Sequence, residues 1–538
     1  MSIEILTQLN PGQKIAIIGL GKENIQFLEW LIKVVKLDSE KLILLDSKDL
    51  NQEAKEVLDE LNFNGEIKTG EDYLEHLSRD EIEIVFKAPG IWSLKPEFIS
   101  FRQKKGEDRV VSSLCFFMHK FRNQIIGVTG TKGKSTTSSL INYLINNLDK
   151  PNPSRPTYAA SLQLQEQRVR SYYCGNTTGI SPYQFWTSLE QKIDPSIYFV
   201  VELSSFQLQD LGYSKISPKF AVITNYFIDH LDQHSTKEEY WAAKDNLFRF
   251  QKPEDVLIYS PIILNKTSLG SRLEQQFLID TDKINEITSG MRLPLIGEHN
   301  RANTAQACIM VEAVRSGKAY AWMSLRQNLA KYSDTLKSFS GLPHRLEFVR
   351  GLNERIFLEG QEFPFRINFY DDGAATEPDA VMAAVNGLTQ NKNQYLWLFV
   401  TGVDKGPDVT DLARLIFQKE ISNSLYRANY CGKIGQRLLS EIYAQMGSRM
   451  QEPVENFHEA VENSFKSVEN LRQNFERWLN NKIEDYRDLG QNLEINKLLN
   501  QSEFILNIVL SPCGSSFDEF PNYIVRSEWW VEHINNLK

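Results

Sequence analysis

No two cysteines in this chain stand in a CxxC pair. The five that are present, Cys115, Cys174, Cys308, Cys431 and Cys513, are scattered and odd in number. That argues against a disulfide framework or a structural zinc and fits a reducing cytoplasm. No apolar run reaches the ~18 residues that a membrane-crossing helix needs. The opening stretch MSIEILTQLN has neither a basic start nor an apolar core, so no secretory signal is expected there. There is no block of Lys and Arg either. Sixty basic residues face 69 acidic ones, for a formal net charge of −9. Broad nucleic-acid binding is therefore disfavoured, although local lysines and backbone amides can still hold a small anion. Low-complexity tracts and short-period repeats are also missing.

What is present is a long, ordinary globular composition. The chain has 538 residues and 41% hydrophobic content, and at roughly 150 residues per domain it needs three or four cores. In the first 112 residues, apolar runs alternate with helix-spaced segments. KIAIIGLG, KLILLDS and EIEIVFKAPGI read as strands, and KENIQFLEWLIKVV as a helix. Such a βαβ series predicts a parallel sheet. A second unit, 113–342, contains IIGVTG, IYFVVELSS and KFAVITNY. A third, 343–538, contains QYLWLFVTGVDKG and FILNIVLSPCG. The fold class is α/β, with three units in series. The polar segment 470–500 reads as a helical surface insertion.

The strongest chemical signal is GVTGTKGKST, residues 127–136. It follows a strand and opens a helix. Gly130 and Gly133 let the backbone turn so that N–H groups point inward. Lys134 supplies a charge for β and γ phosphates, and Ser135 or Thr136 a hydroxyl for Mg²⁺. The glycine spacing differs from the common phosphate loop, with Val128 where the first glycine stands. The other glycine loop, GLGKEN (19–24), lacks the third glycine of the dinucleotide fingerprint. It reads either as a plain βα turn or as a phosphate contact, with Asp46 at the next strand end.

Two further clusters follow strands. Glu202 ends FVVE, where an open α/β sheet binds ligands. It suits Mg²⁺ as well as it suits a helix cap or an ion pair. Asp229, His230, Asp232 and His234 crowd into six positions, without the flanking glutamate of a zinc protease. Lys244 in YWAAK sits among apolar residues. It reads as a snorkelling lysine or as a desolvated amine.

Taken together, these motifs resemble the Mur ligases, the ATP-dependent amide-forming enzymes of peptidoglycan synthesis. The likeness runs in order through GLGK, APGI, GVTGTKGKST, CGNTTGISP, VVELSSFQL, TNYFIDHLDQH, YWAAK, GEHNRANTAQA, GLPHRLE, DDGAATEP, VTGVDKGPD and LSPCGSSFDEF. It implies an N-terminal Rossmann-like domain for a UDP-substrate, a central phosphate-loop ATPase domain and a C-terminal Rossmann-like domain for an amino acid. It implies ATP and Mg²⁺ as cofactors, a cytoplasmic monomer, and an acyl-phosphate intermediate captured by an amine. GLPHRLE and SPCGSSFDEF favour D-glutamate as the amino acid and UDP-N-acetylmuramoyl-L-alanine as the acceptor.

The resemblance also implies roles residue by residue. Gly130, Thr131, Lys132, Gly133, Lys134, Ser135 and Thr136, with Asn303, Arg345 and Asp372, would bind ATP. Ser135, Glu202, His230 and a carbamylated Lys244 would hold metal, and Lys134, Glu202, His230 and Lys244 would be catalytic. Lys22, Glu23, Asp46, Gly90 and Asn176 would meet the UDP-substrate. Thr376, Lys405, Ser516 and Tyr523 would meet D-glutamate. The chain departs from the family pattern at Gln233, Gly373 and Ala374, where arginine, serine and lysine are usual. Apparent insertions fall near 151–170, 257–290 and 470–500. A sister or polyglutamylating ligase, a nucleotide-binding regulator without ligation and a nicotinamide oxidoreductase are the alternatives.

Overall fold

The computed structural model describes residues 6, 8–149, 170–175, 179–189, 193–226, 236–261, 276–291, 293, 295–317, 320–446 and 456–538. It divides into two compact units, one of residues 1–293 with 301–339, the other of residues 294–300 with 340–538.

The first unit holds two sheets. β1 (Lys14–Ile18), β2 (Leu42–Asp46), β3 (Glu66–Thr69), β4 (Ile82–Lys87) and β5 (Val110–Ser112) form the first, in the order β3-β2-β1-β4-β5. β6 (Ile125–Thr129), β7 (Arg170–Gly175), β8 (Ile197–Glu202), β9 (Phe220–Ile223), β10 (Val256–Tyr259) and β11 (Gln276–Leu278) form the second, in the order β11-β10-β9-β6-β8-β7. Every pairing in both is parallel. The central strands are continuous apolar runs buried on both faces, as helix-covered parallel strands must be. In each sheet the chain reverses direction of travel beside the first strand, and loops at such a switch point face an open crevice.

Helices α1 (Lys22–Lys33), α2 (Ser113–Phe121), α3 (Lys134–Asn147), α4 (Ser205–Tyr213), α5 (Lys237–Asp245) and α6 (Glu298–Arg315) connect and cover these strands. The expected boundary at 112 falls at the junction of β5 and α2. One hydrophobic core nevertheless runs across it. Trp30 of α1 lies 4.3 Å from Trp186, Phe27 lies 4.8 Å from Tyr183, and Phe117 of α2 lies 4.9 Å from Phe199 of β8 (ring centroids). Aromatic contacts of this kind carry large buried areas. A buried ion pair crosses the same seam. Lys87 ends β4, and its Nζ lies 2.8 Å from Asp210 of α4, with both side chains almost wholly enclosed. Ser93 Oγ donates to Asp210 at 2.7 Å, and Lys87 also donates to the Ile91 carbonyl at 2.9 Å.

The second unit holds one sheet, β12 (Glu347–Leu358), β13 (Gln361–Asp371), β14 (Gln394–Thr401), β15 (Leu425–Tyr430) and β16 (Phe504–Cys513), in the order β12-β13-β16-β14-β15. Only β12 runs antiparallel to its neighbour. Helices α7 (Val468–Asp488) and α8 (Tyr523–Asn536) pack on it.

The polar segment at 470–500 is helical, as its composition predicts, but α7 is not a bare surface helix. Leu471, Phe475, Leu479 and Ile483, four residues apart, form a buried stripe. The Phe475 ring stacks on Phe365 at 4.7 Å. Its polar flank covers the free edge of β12. Glu476 accepts from the Phe357 amide at 3.0 Å, Asn480 donates to the Phe357 carbonyl at 3.3 Å, and Arg472 donates to the Arg355 carbonyl at 3.4 Å. Of the other apparent insertions, 151–169 lies outside the described residues. The stretch 257–290 is partly framework, since it supplies most of β10 and all of β11. Among the described residues, no helix is long and apolar enough to cross a membrane.

Two outcomes follow. Asp210→Asn leaves the Lys87 ammonium enclosed without its counter-charge, and urea unfolding should record a loss of about 3 kcal/mol; the apolar pair Lys87→Met with Asp210→Leu should lose far less. Glu476→Ala with Asn480→Ala bares the backbone of an edge strand, and light scattering during size exclusion should show self-association that grows with concentration and is weaker in the parent chain.

Candidate functional site

β6 ends at Thr129 and α3 begins at Lys134, so the four residues between them must reverse the chain. Gly130 has φ 153° and Gly133 φ 80°, both in the region that favours glycine. Neighbours forbid a side chain there as well. A Cβ on Gly130 would sit 1.9 Å from Thr224 Oγ1, and one on Gly133 would sit 2.5 Å from Asn303 Oδ1. The loop is propped from β9. Thr224 Oγ1 donates to the Lys132 carbonyl at 2.6 Å, while Asn225 accepts from the Lys132 amide and donates to its carbonyl, both at 2.9 Å. Gln306 of α6 donates to the Thr224 carbonyl at 3.2 Å.

Two lysines converge on this loop. Lys134 Nζ donates to the carbonyls of Gly130 at 3.1 Å and Thr131 at 2.9 Å. Lys244 Nζ, brought in by α5, donates to the same Gly130 carbonyl at 2.8 Å. Lys244 is 2% exposed and lies over the Tyr240 ring, 4.7 Å from its centroid. Lys132 is exposed, Thr136 half-buried, and Thr131, Ser135 and Asn303 are buried. Glu202, also buried, ends β8 beside β6, and Tyr173 Oη donates to its Oε2 at 3.1 Å. A lysine in the first turn of a helix, with the helix N-terminus beside it, suits a polyphosphate. A carboxylate at the adjacent strand end suits a hard divalent cation. His230, with Asp229, Asp232, Gln233 and His234, lies outside the described residues, as does Asn176.

At the first sheet, Asp46 Oδ2 accepts from the Leu20 amide at 2.6 Å and Oδ1 from the Lys48 amide at 3.0 Å, so it buttresses the glycine turn after β1. Lys22 is exposed, 3.9 Å from Glu53. Gly90 is exposed in the loop after β4. Glu23 behaves differently from its neighbours. Its carboxyl turns into the seam, accepting from Ser113 Oγ at 2.9 Å and Gln207 Nε2 at 3.4 Å, and burial pushes its pKa up.

In the second unit the carboxyl ends of β13, β16 and β14 carry Asp372 and Thr376, Ser516, and Lys405 respectively. Asp372 and Ser516 are buried, Thr376 and Tyr523 half-buried, Lys405 and Arg345 exposed. Asp371 and Asp372 are adjacent yet differently placed. Asp371 meets His344 Nδ1 at 2.7 Å and accepts from Ser527 Oγ at 3.0 Å and the Gly373 amide at 2.9 Å. That contact raises the His344 pKa. Asp372 accepts from Ser511 Oγ at 2.8 Å and the Leu346 amide at 2.9 Å. Gly373, a departure from the resembled pattern, is enforced locally, since a Cβ there would lie 1.7 Å from Ser527 Oγ.

Sequence reading alone did not single out Tyr173, Thr224, Asn225 or Tyr240. Their only signal is position, within two residues of a strand end for Tyr173, Thr224 and Asn225 and one helical turn before a motif lysine for Tyr240.

Comparison with known proteins bears on the same residues. Residues 128–273 match the model of the Mur ligase middle domain. The chain is 25% identical to a UDP-N-acetylmuramoylalanine–D-glutamate ligase of Clostridium botulinum, over 98% of this chain and 97% of that one. It is 28% identical to the enzyme of that name from Clostridium kluyveri, over 70% of this chain and 73% of that one. A solved UDP-N-acetylmuramate–alanine ligase from Thermotoga maritima aligns over 97% of this chain and 99% of its own, at 14% identity and a TM-score of 0.45.

Asp372 also sets a pH dependence. Burial pushes its carboxyl up to about 7 from 3.8. Between those values the unfolded chain has lost the proton and the folded unit keeps it, so stability falls as pH rises through that window and the penalty is complete above it. Asp372→Asn should therefore stabilise the protein at pH 8, on the order of 2 kcal/mol, and change little at pH 4, as read by thermal denaturation at both pH values.

Proposed function

We propose that this chain, which belongs to the Mur ligases and so to the ATP-dependent amide-forming enzymes, joins D-glutamate to UDP-N-acetylmuramoyl-L-alanine. The observation that carries the reading is the phosphate loop, where Lys134 and Lys244 meet on the Gly130 carbonyl at 3.1 and 2.8 Å. Phosphoryl transfer is mainly a matter of positioning and of neutralising charge; the turn serves the first and Lys134 the second.

In the proposed reaction Lys134 steadies the γ-phosphate of ATP while an oxygen of the acceptor carboxylate attacks it. ADP leaves and an acyl phosphate forms. The amine of D-glutamate then adds to the carbonyl carbon, its proton is released, and phosphate departs from the tetrahedral adduct. Ser135, Glu202, His230 and a carbamylated Lys244 are the proposed holders of Mg²⁺, which when bound supplies Lewis-acid neutralisation of the transferring oxygens. The enclosed setting of Lys244 supports the carbamate, since that chemistry needs a neutral amine.

Asn303, Arg345 and Asp372 are proposed to bind the rest of ATP. Lys22, Asp46, Gly90 and Asn176 are proposed to meet the UDP-sugar, with Glu23 acting from the seam behind them. Thr376, Lys405, Ser516 and Tyr523 are proposed to receive the two carboxylates of D-glutamate, with Lys405 as a point charge. The proposed domain limits are 1–112, 113–342 and 343–538. Gly373 and Ala374 favour a second reading on one point only, that the amino acid differs while the acceptor and the chemistry stay.

The test is a panel of D- and L-amino acids with ATP, Mg²⁺ and UDP-N-acetylmuramoyl-L-alanine, read by phosphate release and by the mass of the condensed product. D-Glutamate should give one product per ADP, and Lys134→Ala should lower the rate by more than about 100-fold. ADP formation without condensed product for any amino acid would refute ligation. Product with a different amino acid alone would move the specificity.

A further inference from the structure

We propose that Tyr173 is a positioning residue for Glu202, aiming its carboxylate at the cation site beside the phosphate loop. The inference rests on the reading of Glu202 as a cation ligand.

β7 and β8 pair in parallel with Tyr173 opposite Val200 and Gly175 opposite Glu202. Tyr173 and Gly175 therefore share a face with Val200 and Glu202. Directly opposite Glu202 no side chain fits. A Cβ on Gly175 would lie 2.7 Å from the Glu202 carbonyl oxygen and 2.9 Å from its Cβ. Glu202 is reached instead from the diagonal position, which is within reach of a tyrosine. There Tyr173 Oη lies 3.1 Å from Glu202 Oε2 and 3.5 Å from the carbonyl of Ser135. The carboxylate is the nearer and the stronger acceptor, so it takes the hydroxyl proton.

Ser135 belongs to the first turn of α3, directly after Lys134. One hydroxyl thus stands between the carboxylate of β8 and the helix that carries the phosphate lysine. A glutamate has three side-chain torsions and hence several rotamers, and fixing one of them costs conformational entropy. The hydrogen bond to Oε2 selects one, with the carboxylate held against the first turn of α3. Outer hydrogen bonds of this kind orient metal-ligating carboxylates, and their loss typically weakens metal binding. The bulk of the tyrosine ring is not what the role needs, because Tyr173→Phe keeps the ring and removes only the donor.

The experiment measures Mn²⁺ binding to the full chain in the presence of ADP by electron paramagnetic resonance, with ADP binding in EDTA measured alongside. Wild type, Tyr173→Phe and Glu202→Gln are compared. Tyr173→Phe should bind Mn²⁺ about tenfold more weakly, should need correspondingly more Mg²⁺ for half-maximal phosphate release, and should keep its metal-free affinity for ADP. Wild-type Mn²⁺ affinity in Tyr173→Phe, with loss in Glu202→Gln, would overturn the positioning role and leave Glu202 as a ligand. Wild-type affinity in both would overturn the assignment of Glu202 and the role of Tyr173 with it. A loss of ADP affinity in EDTA would place the effect in the phosphate loop and overturn the proposal as well.

Discussion

Two lysine side chains end on one backbone oxygen, the carbonyl of Gly130. One comes from the helix that the loop itself begins, the other from α5, with Lys244 lying 114 residues beyond Gly130. A carbonyl with two lone pairs can accept both. Gly130 has φ 153° and no room for a side chain beneath Thr224. The remaining contacts of the site serve this turn. Thr224 and Asn225 fasten Lys132 from the adjoining strand, Asn303 closes over Gly133, and Glu202 and Tyr173 stand on the other side. Together these props hold the loop whose Gly130 carbonyl is the common partner of both lysine side chains.

The same principle, polar groups held where water is excluded, organises the seam between the two sheets of the first unit. Lys87 and Asp210 are each costly to bury alone and tolerable together. Ser93 and the Ile91 carbonyl complete their hydrogen bonding. Glu23 lies close enough to feel both charges, although burial dominates its environment. The glycine turn after β1 and the helix after Glu202 are thereby fastened to one another through Glu23 and Gln207. A glycine turn in one sheet and a strand end in the other are thus mechanically coupled across the expected boundary at 112. Within the second unit, Asp371 and Asp372 show how adjacent carboxylates take different roles. Both accept from a hydroxyl and an amide, but only the first also meets an imidazole.

Much of this was legible beforehand. β1, β4, β6, β8 and β9 announced themselves as short runs of Ile, Val, Leu and Phe, because strands covered on both faces admit little else. The phosphate loop was legible because its glycines and lysines are adjacent in sequence and its chemistry is local. Asp46 and Glu202 were visible as acids closing apolar runs, while Asp372 was singled out only through the family resemblance. Tyr173 was not. Its partner is a diagonal neighbour on a parallel strand, and strand register cannot be read from two segments separately. Asn225 and Tyr240 escaped for the same reason, since each acts on a loop about a hundred residues away. Glu23 looked like a ligand contact because of its place beside a glycine turn, and the direction its side chain takes is decided by Ser113 and Gln207. The segment 470–500 read as polar and helical. Its four-residue stripe was there to be seen, but the sheet edge that gives the opposite flank its purpose lies over a hundred residues away.

The sequence by itself determined the α/β class, the strand ends where polar residues collect, and the glycine turn between β6 and α3. Each of these depends on residues within a dozen positions of one another, where hydrophobic runs and backbone freedom act directly. The tertiary structure alone decided the strand orders, the sharing of one core by the first two sheets, the meeting of Lys244 with Gly130, and the covering of β12 by α7. Those outcomes depend on packing between segments far apart in the chain, where the free energy lies in the fit of buried surfaces and the pairing of enclosed charges rather than in any local pattern.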